Sequence, residues 1–178
     1  MKIVIIGSGK VGYKLAKQLS EENYDVTLID NNTARLRETS NKLDVFCVSG
    51  DGVSAEVQRE ADVPHADLVI ACAPTDELNM LSCLIANRLG AKNTIARVRN
   101  PEYSKDIQYI QSDLGLSMSV NPESQTATEI ARLLRFPSAI KNDSFAKGRV
   151  DLVEFKVKAN SILIGTELKN LRKVSGVK

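Results

Sequence analysis

The segment Gly7-Ser8-Gly9-Lys10-Val11-Gly12 carries glycines at the spacing G-x-G-x-x-G, a pattern that suits main chain to an anion. A glycine at the first position permits a tight turn, and one at the second lets a phosphate approach the backbone. One at the third lets a following helix pack closely on the preceding strand. Free N–H groups and the positive end of that helix's dipole attract the phosphate, and Lys10 adds a charge within the loop. Asp30 lies 18 residues past Gly12, near the spacing of about 20 at which a carboxylate accepts hydrogen bonds from ribose hydroxyls. A carboxylate there repels a 2′-phosphate and so favours NAD or an adenosine phosphate over NADP. The plainer alternative is a simple turn and a solvated strand end. It is the weaker one, because an aliphatic run precedes the motif and an amphipathic stretch follows it.

Three more segments follow aliphatic runs in the same way. Gly50-Asp51-Gly52 combines a flexible loop with a carboxylate, Asp51, able to edge an adenine or a ribose. Ala73-Pro74-Thr75 offers small residues that permit close approach, while Thr75 and Asp76 serve equally well as helix N-caps. Arg97 ends a run and either pairs with phosphate or forms an ion pair with a helix carboxylate. Glu123, in Asn121-Pro122-Glu123, either helps bind a cation on a nucleotide phosphate or, the more common use of a first-turn glutamate, complements a helix dipole. The single histidine, His65, precedes an aliphatic run and so belongs at the opposite end of a sheet, as a surface-loop residue rather than a catalytic base. No HExxH, GxSxG or GxxxxGKS occurs. Cys47, Cys72 and Cys83 are odd in number, form no CxxC and fall in apolar elements. They are small hydrophobes rather than a disulfide framework or a zinc site, and no metal site is expected.

These residues need elements to position them. Aliphatic runs predict strands over 3–6, 26–29, 45–48, 68–71, 94–98 and 116–120. Amphipathic spacing predicts helices over 10–20, 33–41, 54–61, 77–89, 102–111 and 122–134, with Gly90 as a C-cap. Strict alternation of six strands and six helices predicts an α/β fold with a Rossmann-like, doubly wound six-stranded parallel sheet over 1–135. The strands are aliphatic throughout, as expected where helices cover both faces. In such a sheet ligands bind beyond the carboxyl ends of the strands, where the candidates above lie. Arg135-Phe136-Pro137-Ser138 breaks the alternation, and 136–149, with polar 141–148, is expected to be a linker or surface loop. Residues 150–157 alternate as a strand, and 161–172 suggests a short strand and a helix. The 150–178 segment therefore reads as the beginning of a small α+β module that stops short at Lys178.

The whole chain, 178 residues with 43% hydrophobic and 26% charged, has the balance of a globular protein. Its 24 basic and 22 acidic residues leave a net charge of +2, which removes a general electrostatic case for nucleic acid as a partner. No apolar run approaches the roughly 18–20 residues of a membrane span. The run at 3–6 is too short for a signal peptide, so a cytoplasmic location is expected.

Several segments together resemble one family, the regulators of potassium conductance, and within it the TrkA-type subunits of Trk potassium uptake systems. They are 2–16 (KIVIIGSGKVGYKLA), Thr27-Leu28-Ile29-Asp30, Gly50-Asp51, 75–80 (TDELNM), Ile95-Ala96-Arg97-Val98 and Val120-Asn121-Pro122-Glu123. The likeness covers roughly 1–135, and 150–172 resembles the start of the smaller module that follows in this family. The glycine motif is shared by all dinucleotide folds; Gly50-Asp51, TDELNM and the Ala-Arg strand are much narrower. The resemblance implies a nucleotide-gated regulator rather than an enzyme. It would sit at the cytoplasmic face of the membrane through a potassium-translocating membrane subunit, form a homo-oligomer through its Rossmann domains, and respond to NAD(H), or to ATP/ADP at the same site. It implies a pyrophosphate loop from Gly7 to Val11, a ribose carboxylate at Asp30, an edge contact at Ala73 and Pro74, and a phosphate-binding arginine at Arg97. Many relatives carry a hydroxyl and an amide where this chain has Ala73 and Pro74, so contacts there would run through main-chain or apolar atoms.

The main competing reading is a small NAD-dependent oxidoreductase, or a fragment of one. It requires a substrate site, which the roughly 40 residues after the sheet do not obviously supply. A redox-sensing repressor would need a DNA-binding module, and an ion-exchanger fragment a transmembrane portion.

Overall fold

Long aliphatic runs bury both of their faces only when helices cover both sides of a sheet, and the chain folds that way. The structure, a computed structural model, describes residues 1–135, 139–145, 149–171 and 173. Strands β1 (Lys2–Ile6), β2 (Asp25–Asp30), β3 (Phe46–Ser49), β4 (Leu68–Ala71), β5 (Thr94–Arg97) and β6 (Met118–Val120) form one sheet. Its order is β3-β2-β1-β4-β5-β6 and every pairing is parallel. Helices α1 (Lys10–Glu21), α2 (Thr33–Ser40), α3 (Ala55–Glu60), α4 (Asp76–Leu89), α5 (Pro101–Ile110) and α6 (Pro122–Arg135) alternate with the strands.

Although β1 is apolar from Ile3 to Ile6, its side chains separate by the period of two. Ile3 and Ile5 join Ala16, Leu28 and Leu36 in one core layer. Val4 and Ile6 join Val69, Ala71, Cys83 and Ala86 in the other. The strand order reverses at β1, which is flanked by β2 and β4. Such a switch point opens a crevice beyond the carboxyl ends of the strands.

The chain divides into two compact units, Met1–Ser124 and Gln125–Lys178. The division falls inside α6, 11 residues before the end of the sheet domain read from the sequence. In the second unit β7 (Ala139–Phe145) pairs antiparallel with β8 (Val150–Phe155), and Arg135 forms an ion pair with Asp151 at 3.7 Å.

Two expectations for this unit are corrected. Residues 139–145, read as linker, form a strand. A two-stranded ribbon meets solvent on both faces, so polar composition is no bar once β8 supplies the ladder. The expected break at 136–138 and the loop at 146–148 lie outside the described residues. Over 161–172 the described residues hold turns and a 3₁₀ helix, Leu168–Asn170, in place of the short strand, and the chain becomes α-helical at Leu171. Ile164 N–H bonds to Ser161 and Thr166 N–H to Leu163, both at 3.2 Å. These local turns consume donors that a strand would offer to a neighbour. Arg172 lies outside the described residues.

Candidate functional site

The site begins where β1 gives way to α1. Gly7 has φ +100°, and a Cβ there would stand 2.9 Å from the Ala73 nitrogen, so conformation and the approach of β4 both demand glycine. A Cβ on Gly12 would collide with the Gly7 carbonyl oxygen, because α1 rests directly on the turn it leaves. Gly9 is the opposite case, since an added Cβ meets nothing within 4 Å. The main chain at Gly9 is thus bare toward open space. Gly9 is also the N-cap of α1 and makes no side-chain cap. Helices α2 to α6 are capped by Asn32, Ser54, Thr75, Asn100 and Asn121, each accepting an N–H of its first turn. Among the described α-helices, α1 alone leaves its first-turn donors to an acceptor from outside.

Asp30 does more than end a strand. Its Oδ2 accepts the Ser8 N–H at 2.6 Å and the Ser8 hydroxyl at 2.8 Å, and its Oδ1 accepts the Asn32 N–H at 2.8 Å. The carboxylate therefore latches the glycine loop to the end of β2 while still lining the cleft.

That cleft has a volume of about 510 Å³ and runs across the carboxyl ends of β1 to β5. Of the residues singled out in the sequence it brings together Gly7, Gly9, Lys10, Val11, Asp30, Asp51, Ala73, Pro74 and Arg97. Ser8 is buried behind the wall on Asp30, and Gly12 lies within α1; neither lines it. Asp51 Oδ1 accepts the Val53 N–H at 3.1 Å, which shapes its loop. Arg35 and Arg99, which the sequence reading missed, also line the cleft. Lys10, Arg35, Arg97 and Arg99 thus face two carboxylates, Asp30 and Asp51, an excess of cation that suits a polyanionic ligand.

The far wall is held by α4. Asn79, fully buried, accepts the Ala73 N–H at 2.7 Å and donates to the carbonyls of Ala73 and Arg97 at 3.3 and 2.9 Å, tying the ends of β4 and β5 together. Asp76, also buried, accepts the N–H groups of Arg99 and Asn100 at 2.9 and 2.8 Å. Thr75, not Asp76, is the N-cap. Asp76 and Asn79, within TDELNM, and Ser82 beyond it are polar residues at helical spacing on the buried face of α4, and that pattern was the available signal. Arg99 donates to the Pro74 carbonyl and lies 3.6 Å from Asp76.

Arg97 pairs with Glu123 in the first turn of α6, so the helix-carboxylate alternative is realised at an arginine that also lines the cleft. Partial desolvation opposes ionisation of Glu123. Its own N–H and the Arg97 guanidinium outweigh that and hold its carboxyl below the ordinary range.

The remaining reactive groups are poorly placed for chemistry. Burial pushes the Cys72 thiol up to about 11 and Cys83 to about 12, so both are protonated at neutral pH. The exposed side chain of His65 ends a 3₁₀ turn, Val63–His65, before β4. The labelling rate of Cys72 with an electrophilic disulfide is expected to keep rising about tenfold per pH unit from pH 8 to beyond pH 10. A free thiol, with a pKa of about 8.5, levels off near pH 9.5. Mass-spectrometric quantitation of Cys72 labelling checks this, and a plateau near pH 9.5 would contradict the burial effect.

The chain is 38% identical over 175 residues to the Trk system potassium uptake protein TrkA of Vibrio alginolyticus, covering 97% of this chain and 38% of that protein. It is 39% identical over 171 residues to the TrkA homolog of Archaeoglobus fulgidus, covering 96% of this chain and 39% of the relative. The chain thus spans about two-fifths of the length of the curated relatives it matches. Among solved structures, the GsuK channel bound to NAD superposes with a TM-score of 0.63 at 20% identity, over 78% of this chain and 23% of that one. That likeness is one of fold. The family model of the TrkA-N domain matches residues 3–122, from the first sheet strand to the start of α6. With the glycine turn, the Asp30 latch and the α4 clamp all inside that span, the chain belongs to the TrkA-N domain family.

Proposed function

We propose that this chain is the nucleotide-responsive part of a regulatory subunit of a potassium uptake system, and that it does not act as an enzyme. The observation that carries the reading is the uncapped N-terminus of α1 beside the Asp30 carboxylate, inside a cleft with an excess of cationic side chains. Ligand phosphates bind the first-turn N–H groups of α1 near Gly9, with Lys10 and Arg97 adding charge. Asp30 accepts the ribose hydroxyls, Asp51 edges the adenosine, and Ala73 and Pro74 contact the ligand's other half through main-chain and apolar atoms. Gly7, Ser8, Val11 and Gly12 shape the loop that does this. NAD(H) and the adenosine phosphates ATP and ADP share the chemistry the cleft accepts.

The relatives' names and the residues shared with TrkA-type subunits support a potassium-translocating membrane partner, contacted from the cytoplasm. No described helix is long and apolar enough to cross a membrane. A homo-oligomer built through the sheet domains would transmit the signal. Different nucleotides stabilise different arrangements of neighbouring domains only to the extent that they bind those arrangements with different affinity. In this reading residues 150–178 begin the smaller module of the regulators of potassium conductance.

Calorimetric titration with NAD, NADH, NADP, ATP and ADP tests the site. Binding of NAD(H) or an adenosine phosphate with rejection of NADP is expected, and binding by none of the five would overturn the reading. In Asp30→Ala, loss of charged hydrogen bonds is expected to weaken NAD by about 1–3 kcal/mol. An unchanged affinity would remove Asp30 from the ribose.

A further inference from the structure

Arg97 faces two ways. Its side chain, 18% exposed, lines the cleft, yet its guanidinium donates to Glu123, which does not line it. Arg97 Nε is buried and has no hydrogen-bond partner among the described residues, so the pair with Glu123 does not use all the donors of the guanidinium. Arg99, the neighbouring cation, is already committed to the Pro74 carbonyl and to Asp76. Lys10 belongs to the loop that takes the first phosphate.

We propose that Glu123 sets the preference of the cleft for nucleotides with a second phosphate, by competing with that phosphate for Arg97. This rests on the nucleotide-binding reading of the cleft. A monophosphate held at the N-terminus of α1 leaves the Arg97–Glu123 pair intact. The second phosphate of a nucleoside diphosphate offers a planar guanidinium a doubly bonded, more highly charged partner, and it displaces a glutamate that is half-exposed and hence weakly paired.

The exchange does not unravel α6. Asn121 holds the start of that helix independently, accepting the Ser124 N–H at 2.9 Å and donating to the Arg99 carbonyl at 2.8 Å. What changes is a carboxylate released in the first turn of α6, the helix along which the chain passes from its first compact unit to its second. Because coupling is reciprocal, anything that draws Glu123 away from Arg97 tightens the diphosphate.

The test is a double-mutant cycle read by calorimetry. Wild type, Glu123→Gln, Arg97→Gln and the double variant are each titrated with AMP and with ADP in EDTA, so that no divalent cation bridges carboxylate and phosphate. Glu123→Gln is expected to tighten ADP about three- to tenfold, the scale of an exposed ion pair, while AMP changes less than twofold. In the Arg97→Gln background the same substitution is expected to leave both nucleotides within twofold. Equal tightening of AMP and ADP, a gain that persists without Arg97, or a weakening of ADP would each overturn the competition while leaving the cleft a nucleotide site. Failure of the wild type to bind either nucleotide would overturn the site reading itself, and the proposal with it.

Discussion

Replacing Gly9 with valine is expected to abolish nucleotide binding while leaving the first unit folded. The backbone there has φ −65° and ψ −173°, an extended conformation open to any residue, and an added Cβ touches nothing within 4 Å. The change should therefore alter stability by no more than about 0.5 kcal/mol, the usual range for an exposed substitution. The branched side chain would stand where the main chain is bare, between the first-turn N–H groups of α1 and any phosphate. Affinity for NAD or ADP is expected to fall at least ~100-fold, or about 2.7 kcal/mol. Calorimetry and a thermal melt on the same sample separate the two effects. An intact melt with intact affinity would mean that the phosphates are not held at this loop.

Gly12→Ala should do the reverse. The methyl group would collide with the Gly7 carbonyl oxygen, an atom of the backbone with no rotamer to escape into. Helix α1 would have to lift from β1, disturbing the layer that contains Ile3, Ile5 and Ala16. Overpacking against a backbone atom costs about 3 kcal/mol or more, so the urea midpoint should fall sharply. Cys72→Ala should not rescue it, because the nearer obstacle is the carbonyl and not the thiol. Wild-type stability in Gly12→Ala would show that α1 lies farther from the turn than the structure has it. Two glycines three residues apart thus separate into one that keeps a surface open for ligand and one that lets two elements touch.

Sequence spacing sufficed for the turn, for the carboxylate at the end of β2 and for the alternation of elements around them. It did not show that Asp30 fastens Ser8, because a glycine loop and a strand end 22 residues apart carry no local sign of their contact. Asn79 escaped for a related reason. A buried asparagine looks like any helix residue until the backbone groups it satisfies, at positions 73 and 97, arrive from two different strands. At Arg97 the alternatives of phosphate and helix carboxylate stood level in the sequence. The fold put Glu123 beside the arginine and left the same guanidinium facing the cleft. Residues 139–145 misled through composition, since polar residues in a ribbon exposed on both faces carry no pattern to distinguish strand from loop.

By itself, then, the sequence determined which segments of the six-stranded sheet domain are strands and helices, where the glycine turn stands and that Asp30 follows the second strand. Those features are written in the identity of single residues and in spacings of two to four, within the reach of local sterics and periodicity. The tertiary structure alone decided the sheet order, which sets β4 and β5 beside β1 and so assembles one cleft from residues 7, 30, 51, 73 and 97. It alone decided that Glu123 holds Arg97 across 26 residues. Such contacts form because burying two faces of a parallel sheet forces distant strand ends together. That requirement belongs to the packed whole, and no short window of sequence contains it.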